Sequence, residues 1–149
     1  MAKFQFRMQS VLNIKLRLEE QEKLSFAAQR KRLDDEEEKL QGLFKRKEFY
    51  EEEGRKMRNK ALKVNDILEN EAAIIRIKEY IDEQTKVVKE AERLLEEERL
   101  KLSEAIKERK TYEKLRENAL DAFLKEELRK EGLENDEHNS FVYGRKAVD

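Results

Sequence analysis

From Ile67 to Leu102 every seventh residue is apolar: Ile67, Ile74, Ile81, Val88, Leu95 and Leu102. An apolar repeat of 3.5 residues falls just short of the helical 3.6, so a helix carrying it keeps one face on a partner helix by supercoiling left-handedly. The companion row three residues on, Asn70, Ile77, Gln84, Ala91, Glu98, Ala105, Tyr112 and Ala119, is mixed. The first row is therefore read as the stronger half of a seam, and the first half of the chain as the source of the partner helix.

That first half carries a thinner apolar face. Met1 to Phe6 alternates apolar and polar and suits an extended tail, whereas Met8, Val11, Leu12, Ile14, Lys15 and Leu18 fall at helical spacing. Phe26, Leu33 and Leu40 then recur at seven, followed by Leu43, Tyr50, Met57 and Val64 on the neighbouring row. Gly42 and Gly54 each cost about 1 kcal/mol relative to alanine inside a helix, which a continuous or slightly bent helix can absorb.

The pattern places the reversal at residues 62–67, where Asn65 and Asp66 compete with the helical backbone. Asp66 with Glu69 reads as an acidic capping box, and Asn70 is a second candidate for the helix start. The predicted fold is all-α: two long helices forming an antiparallel coiled-coil hairpin, with a frayed C-terminal tail. The first helix spans about 7–62, the second about 67–131 with Gly132 as its cap, and a flexible tail covers 132–149. In this register residues near Leu33 face residues near Glu97, and Leu18 faces Tyr112. Glu19 with Lys23, Asp82 with Lys86, Glu97 with Lys101 and Glu126 with Lys130 are acid-first pairs that support the helices.

Composition narrows the class. Charged residues make up 46% of the 149, with no Pro, Cys or Trp and only four Gly. So polar a chain cannot surround a wide core, and its sustained apolar period without proline argues against disorder. Its 34 basic and 35 acidic residues nearly cancel, which leaves no overall field toward nucleic acid or an anionic membrane. The lack of cysteine excludes disulfides and thiolate metal sites and makes a cytoplasmic location the default. No continuous apolar stretch matches a secretory signal or a bilayer span, so no membrane insertion is expected.

No catalytic constellation is present. His138, the single histidine, stands beside Asp136 and Glu137 in the tail, and Ser10, Ser25, Ser103 and Ser140 have no base placed near them. The many carboxylates lie on convex helix surface, where nothing tunes them for proton transfer. The reading is of a non-enzyme without cofactor or metal. Arg30-Lys31-Arg32 and Arg55, Lys56, Arg58 and Lys60 are basic, but flanking acidic runs argue against nucleic-acid binding.

More apolar surface is present than a two-helix seam needs. Leu43, Phe44, Phe49 and Tyr50 crowd the end of the first arm, while Tyr80, Val87 and Leu94 each precede a residue of the strong seam row. This surplus is either a docking site or a widened, self-associating core.

The opening Phe4-Gln5-Phe6-Arg7-Met8-Gln9-Ser10-Val11-Leu12 resembles the aromatic-basic, Leu-Gln-x-Val-Leu opening of the FliJ family, small coiled-coil proteins of the flagellar type III export apparatus. Met8 stands where the family more often has Leu. Length, midpoint turn, the Tyr80-Ile81 pair and the Asp136-Glu137 tail are also similar.

The resemblance implies a non-enzymatic antiparallel coiled coil, similar to the γ stalk of rotary ATP synthases. Its terminal ends would enter the hexameric flagellar export ATPase and promote its assembly and activity. The rod would reach the membrane export gate and escort export chaperones, placing the chain in the cytoplasm, peripherally associated with the inner face of the membrane at the flagellar base. Carried onto this sequence, gate contact falls on Leu43, Tyr50, Tyr80, Gln84 and Val87, with Arg46 standing where family members can carry an aromatic residue. ATPase contact falls on Arg7, Lys15, Arg17, Arg116, Arg129 and Lys130, by position along the arms. The alternatives are a self-associating structural scaffold and the equivalent stalk of a non-flagellar type III secretion system.

Overall fold

A computed structural model describes residues 2–60 and 63–148, with the side chains of residues 146–148 left aside. Two helices account for nearly all of it: α1, Gln9–Asn59, and α2, Val64–Val148. They pack against each other in antiparallel order, and no strand occurs among the described residues. Contacts divide the chain into a terminal unit, Met1–Glu19 with Glu104–Asp149, and a turn unit, Glu20–Ser103.

The turn unit holds the core. Leu33 packs with Val88 and Ala91, flanked by Leu40 and Leu95. Contrary to the expected ranking, the two deepest residues lie on the mixed row, Ala91 at 0% and Ile77 at 2% exposed, although Val88 and Ile81 of the all-apolar row are buried as well and both rows contain half-buried members. The reason is steric. A small Ala91 lets the opposite arm approach, so the large Leu33 fills the space that a larger residue at 91 would occupy.

The reversal comes earlier than the pattern suggested. Helix α2 already begins at Val64, so Asn65 and Asp66 are helical, and neither the Asp66 capping box nor a start at Asn70 is formed. Asp66 lies in the first turn of α2, where a carboxylate complements the positive end of the helix dipole, and its N–H donates to the Lys63 carbonyl at 3.1 Å. At the end of α1, the Lys60 N–H donates to the Met57 carbonyl at 3.4 Å. Residues 61 and 62, part of the expected reversal, lie outside the described residues.

An earlier reversal shifts the pairing register. Leu33 faces Val88 and Ala91 rather than the neighbourhood of Glu97. In the terminal unit Leu18 is exposed, and it is Lys15 that lies over the Tyr112 ring.

Two further expectations change. Gly132 lies inside α2, and no described glycine has a positive φ, so it forms no left-handed cap. Backbone helix extends to Val148, although from Gly132 to Arg145 only Val142 is other than exposed, consistent with the loss of the apolar period there. Among the acid-first pairs, Glu126 bonds Arg129 and Lys101 sits 3.7 Å from Glu98, both one residue closer than anticipated.

The first arm also has a legible seam once burial is known. Leu12, Glu19, Phe26, Leu33, Leu40, Lys47 and Gly54 form one inward row, and Lys15, Glu22, Gln29, Glu36, Leu43, Tyr50 and Met57 form the other. Several of these positions are polar, and cross-arm bonds satisfy many of them. Gln84 Nε2 donates to the Glu36 carboxylate at 2.5 Å and to its carbonyl at 2.9 Å, and Asn70 Nδ2 donates to the Tyr50 carbonyl at 2.9 Å. Polar groups inside a seam favour the one register in which they meet partners.

Candidate partner-binding surfaces

One face of the turn unit is concave. Side chains one position before the strong seam row of α2, Ala73, Tyr80 and Val87, stand beside those just before the first seam row of α1, Lys39, Arg46 and Glu53. Tyr80 is 57% exposed and Val87 37%. Between the arms lies a groove of about 820 Å³ with Leu43, Gln84 and Val87 along it and Tyr80, Lys39, Arg46 and Glu83 at its walls.

The groove continues toward the turn. Arg46 and Tyr80 also line a second hollow with Tyr50, Ala73, Arg76 and Ile77. Tyr50 and Ala73 in turn join a third, lined by Phe49, Glu53, Met57, Asp66, Glu69 and Asn70. All five residues expected to contact the gate, Leu43, Tyr50, Tyr80, Gln84 and Val87, therefore come together along one face.

The crowded apolar cluster of the first arm is split by this arrangement. Leu43 and Tyr50 are half-buried seam residues, Phe49 packs edge-on to Tyr50 at 5.9 Å, and Phe44 is exposed and does not line the groove. Arg46 Nη2 donates to the Tyr50 hydroxyl at 3.4 Å, which holds a cation over the middle of the face. Lys39, Ala73, Arg76 and Glu83 were not singled out from sequence. The signal that could have found them is the heptad position next to the seam, visible only with the correct register.

The terminal unit has a different character. Phe4 of the non-helical N-terminal segment packs against Phe123 with ring centroids 5.6 Å apart and the rings tilted by 52°, and the Arg116 guanidinium lies 5.5 Å from the Phe4 ring. Arg116 Nε donates to Gln9 Oε1 at 3.1 Å. Arg7 lines the adjoining shallow groove with Phe6, Met8 and Leu115.

The six terminal cations fall into two groups. Lys15 is paired with Glu108 at 2.8 Å, and that hydrogen bond raises its ammonium above the usual lysine value. Arg129 bonds Glu126, which raises the guanidinium and lowers the carboxyl. Arg116 is engaged by Gln9 and Phe4, whereas Arg7, Arg17 and Lys130 are exposed. Sequence reading missed a largely buried ion pair of this unit. Glu19 is 5% exposed and accepts from Arg109 Nε at 2.7 Å, while Arg109 Nη1 reaches Glu113, and both carboxylates raise the guanidinium.

No group of three His, Cys, Asp or Glu suited to a metal occurs among the described residues. No described helix is long and apolar enough to cross a membrane.

The model of the flagellar FliJ protein family matches residues 4–147. This chain belongs to the FliJ family. Among solved structures, a protein of Chlamydia trachomatis described as a YscO homolog superposes with a TM-score of 0.72 at 20% identity, covering 99% of each chain. That likeness concerns the fold. No curated protein matches the sequence. The family match covers residues of both units.

Proposed function

We propose that this FliJ-family chain is a non-enzymatic stalk of the flagellar type III export apparatus, working in the cytoplasm at the inner face of the membrane. Its terminal ends contact the hexameric export ATPase and promote its assembly and activity. The groove at Leu43, Tyr50, Tyr80, Gln84 and Val87 contacts the export gate, and export chaperones are further partners. The observation that carries this reading is the family match along residues 4–147. The groove supports it independently, since exposed aromatic and aliphatic groups flanked by cations are the usual make-up of an interaction site. The gate protein, rather than any segment of this chain, supplies the membrane attachment in this reading.

The test is ATP hydrolysis by the purified cognate export ATPase, titrated with the chain and with a Tyr50→Ala, Tyr80→Ala variant. Stimulation by both, with gate capture lost only in the variant, is the expected result. No stimulation at any ratio would return the chain to a generic coiled-coil scaffold.

A further inference from the structure

The groove between the arms extends beyond the five gate residues, and its charge changes sign along its length. Near the turn the charged residues lining it are Glu53, Asp66 and Glu69, all acidic. In the middle they are Arg46 and Arg76, both basic. At the far end Lys39 and Arg46 stand with one carboxylate, Glu83. Arg76, Asp66 and Glu69 form no ion pair with another described residue. The floor is mainly apolar, with Leu43, Tyr50 and Met57 recurring at seven residues and Ile77 and Val87 opposite; Gln84 and Asn70 also line it, their amides bonded to Glu36 and Tyr50 of α1.

We infer that this groove receives an amphipathic α-helix of another protein, about five turns long, with basic side chains at one end and acidic ones at the other. The three joined hollows run along residues 39–57 of α1, on the order of 27 Å at helical rise, which sets that length. A floor repeating at seven residues accepts knobs spaced three and four apart, so the visiting helix locally completes a three-stranded coil. Basic groups over Glu53, Asp66 and Glu69 and acidic groups over Arg46 and Arg76 give its charge order. A concave channel between two helices fits one convex helix, whereas the same face of a second copy would bring channel against channel and leave the middle unfilled. The inference deepens the gate reading and rests on it for which protein supplies the helix.

The test uses the full-length chain and three synthetic helical peptides with one heptad-spaced apolar face. One has opposite charges at its two ends, one is acidic at both ends and one is basic at both ends. Fluorescence anisotropy should show the first binding about ten-fold more tightly than the others, as a few exposed charge pairs provide. Tyr80→Ala should weaken all three. Arg46→Glu with Arg76→Glu, checked for folding by circular dichroism, should transfer the preference to the doubly basic peptide. Equal affinities for the three peptides would overturn the inference. So would absence of binding at millimolar peptide, or sedimentation showing that the chain self-associates through a Tyr80-dependent contact. Gate capture that persists without peptide binding would sink the helix while leaving the stalk assignment standing, and loss of ATPase stimulation would do the reverse.

Discussion

Asn70 and Gly54 are fitted to each other across the seam. A Cβ built on Gly54 would lie 2.6 Å from Asn70 Oδ1, while Asn70 Nδ2 donates to the Tyr50 carbonyl one turn away on the same arm. The glycine is thus the space into which a buried amide is admitted, and the amide holds the first arm in register.

The two glycines of α1 should therefore respond oppositely to alanine. At Gly42 a Cβ meets nothing within 4 Å, so Gly42→Ala should stabilise by about 1 kcal/mol through helix propensity alone. At Gly54 the same gain is opposed by displacing Asn70 from its bond, a loss of roughly 1–3 kcal/mol for a buried polar group left unsatisfied. Gly54→Ala should be neutral to destabilising in urea denaturation. Adding Asn70→Ala should then cost less than it does alone, a coupling that a double-mutant cycle reads directly.

Seam and surface positions of α2 give a second contrast. Ile77 is nearly fully buried and Ile75 is 59% exposed. Ile77→Ala should cost about 2–5 kcal/mol and Ile75→Ala within about 0.5 kcal/mol, measured as shifts in urea midpoint.

Acid should loosen the turn unit. The hydrogen bond from Gln84 holds the Glu36 carboxyl below its usual value of 4.5, with Lys39 and Arg32 adding to the effect against partial desolvation. A depressed folded value means that the stabilisation is present above pH 4.5 and is lost as pH falls through the lower folded value. Thermal melts between pH 7 and 3 should show this loss, and Gln84→Ala should flatten the dependence below pH 4.5.

Among the described residues, two seam side chains each keep one buried oxygen without a partner. Gln29 Oε1 and Glu98 Oε2 are buried without a hydrogen-bond partner. Gln29→Leu should raise the melting temperature, corresponding to roughly 0.5–2 kcal/mol, because it removes an unmet acceptor and extends the Phe26–Leu33 apolar stretch. An unchanged or lower melting temperature would show that the amide is bonded in solution.

The terminal unit should depend on one ion pair. Glu19 is nearly buried against Arg109, whereas Glu113 on the same guanidinium is about half exposed. Glu19→Gln should lower the temperature at which helix signal is lost, and Glu113→Gln should change it much less, since an exposed partner is already hydrated.

The sequence alone determined the helices, their number and antiparallel order, because a sustained heptad without proline admits few other structures. It also brought out five residues that the structure places along one groove, Leu43, Tyr50, Tyr80, Gln84 and Val87, and the family opening from Phe4 to Leu12. Tertiary structure decided the register, for Asn65 and Asp66 looked like a break while the helix had already begun at Val64. It decided which seam residues lie deepest, since burial of Ala91 depends on Leu33 in the other arm. The polar seam of α1 was illegible for the same reason. Nothing along the sequence marks Lys15, Glu19 and Glu36 as cross-arm partners until Glu108, Arg109 and Gln84 are placed opposite them. Periodicity records which face of a helix is apolar; which residue meets which across the seam is a property of two segments together, and only packing can express it.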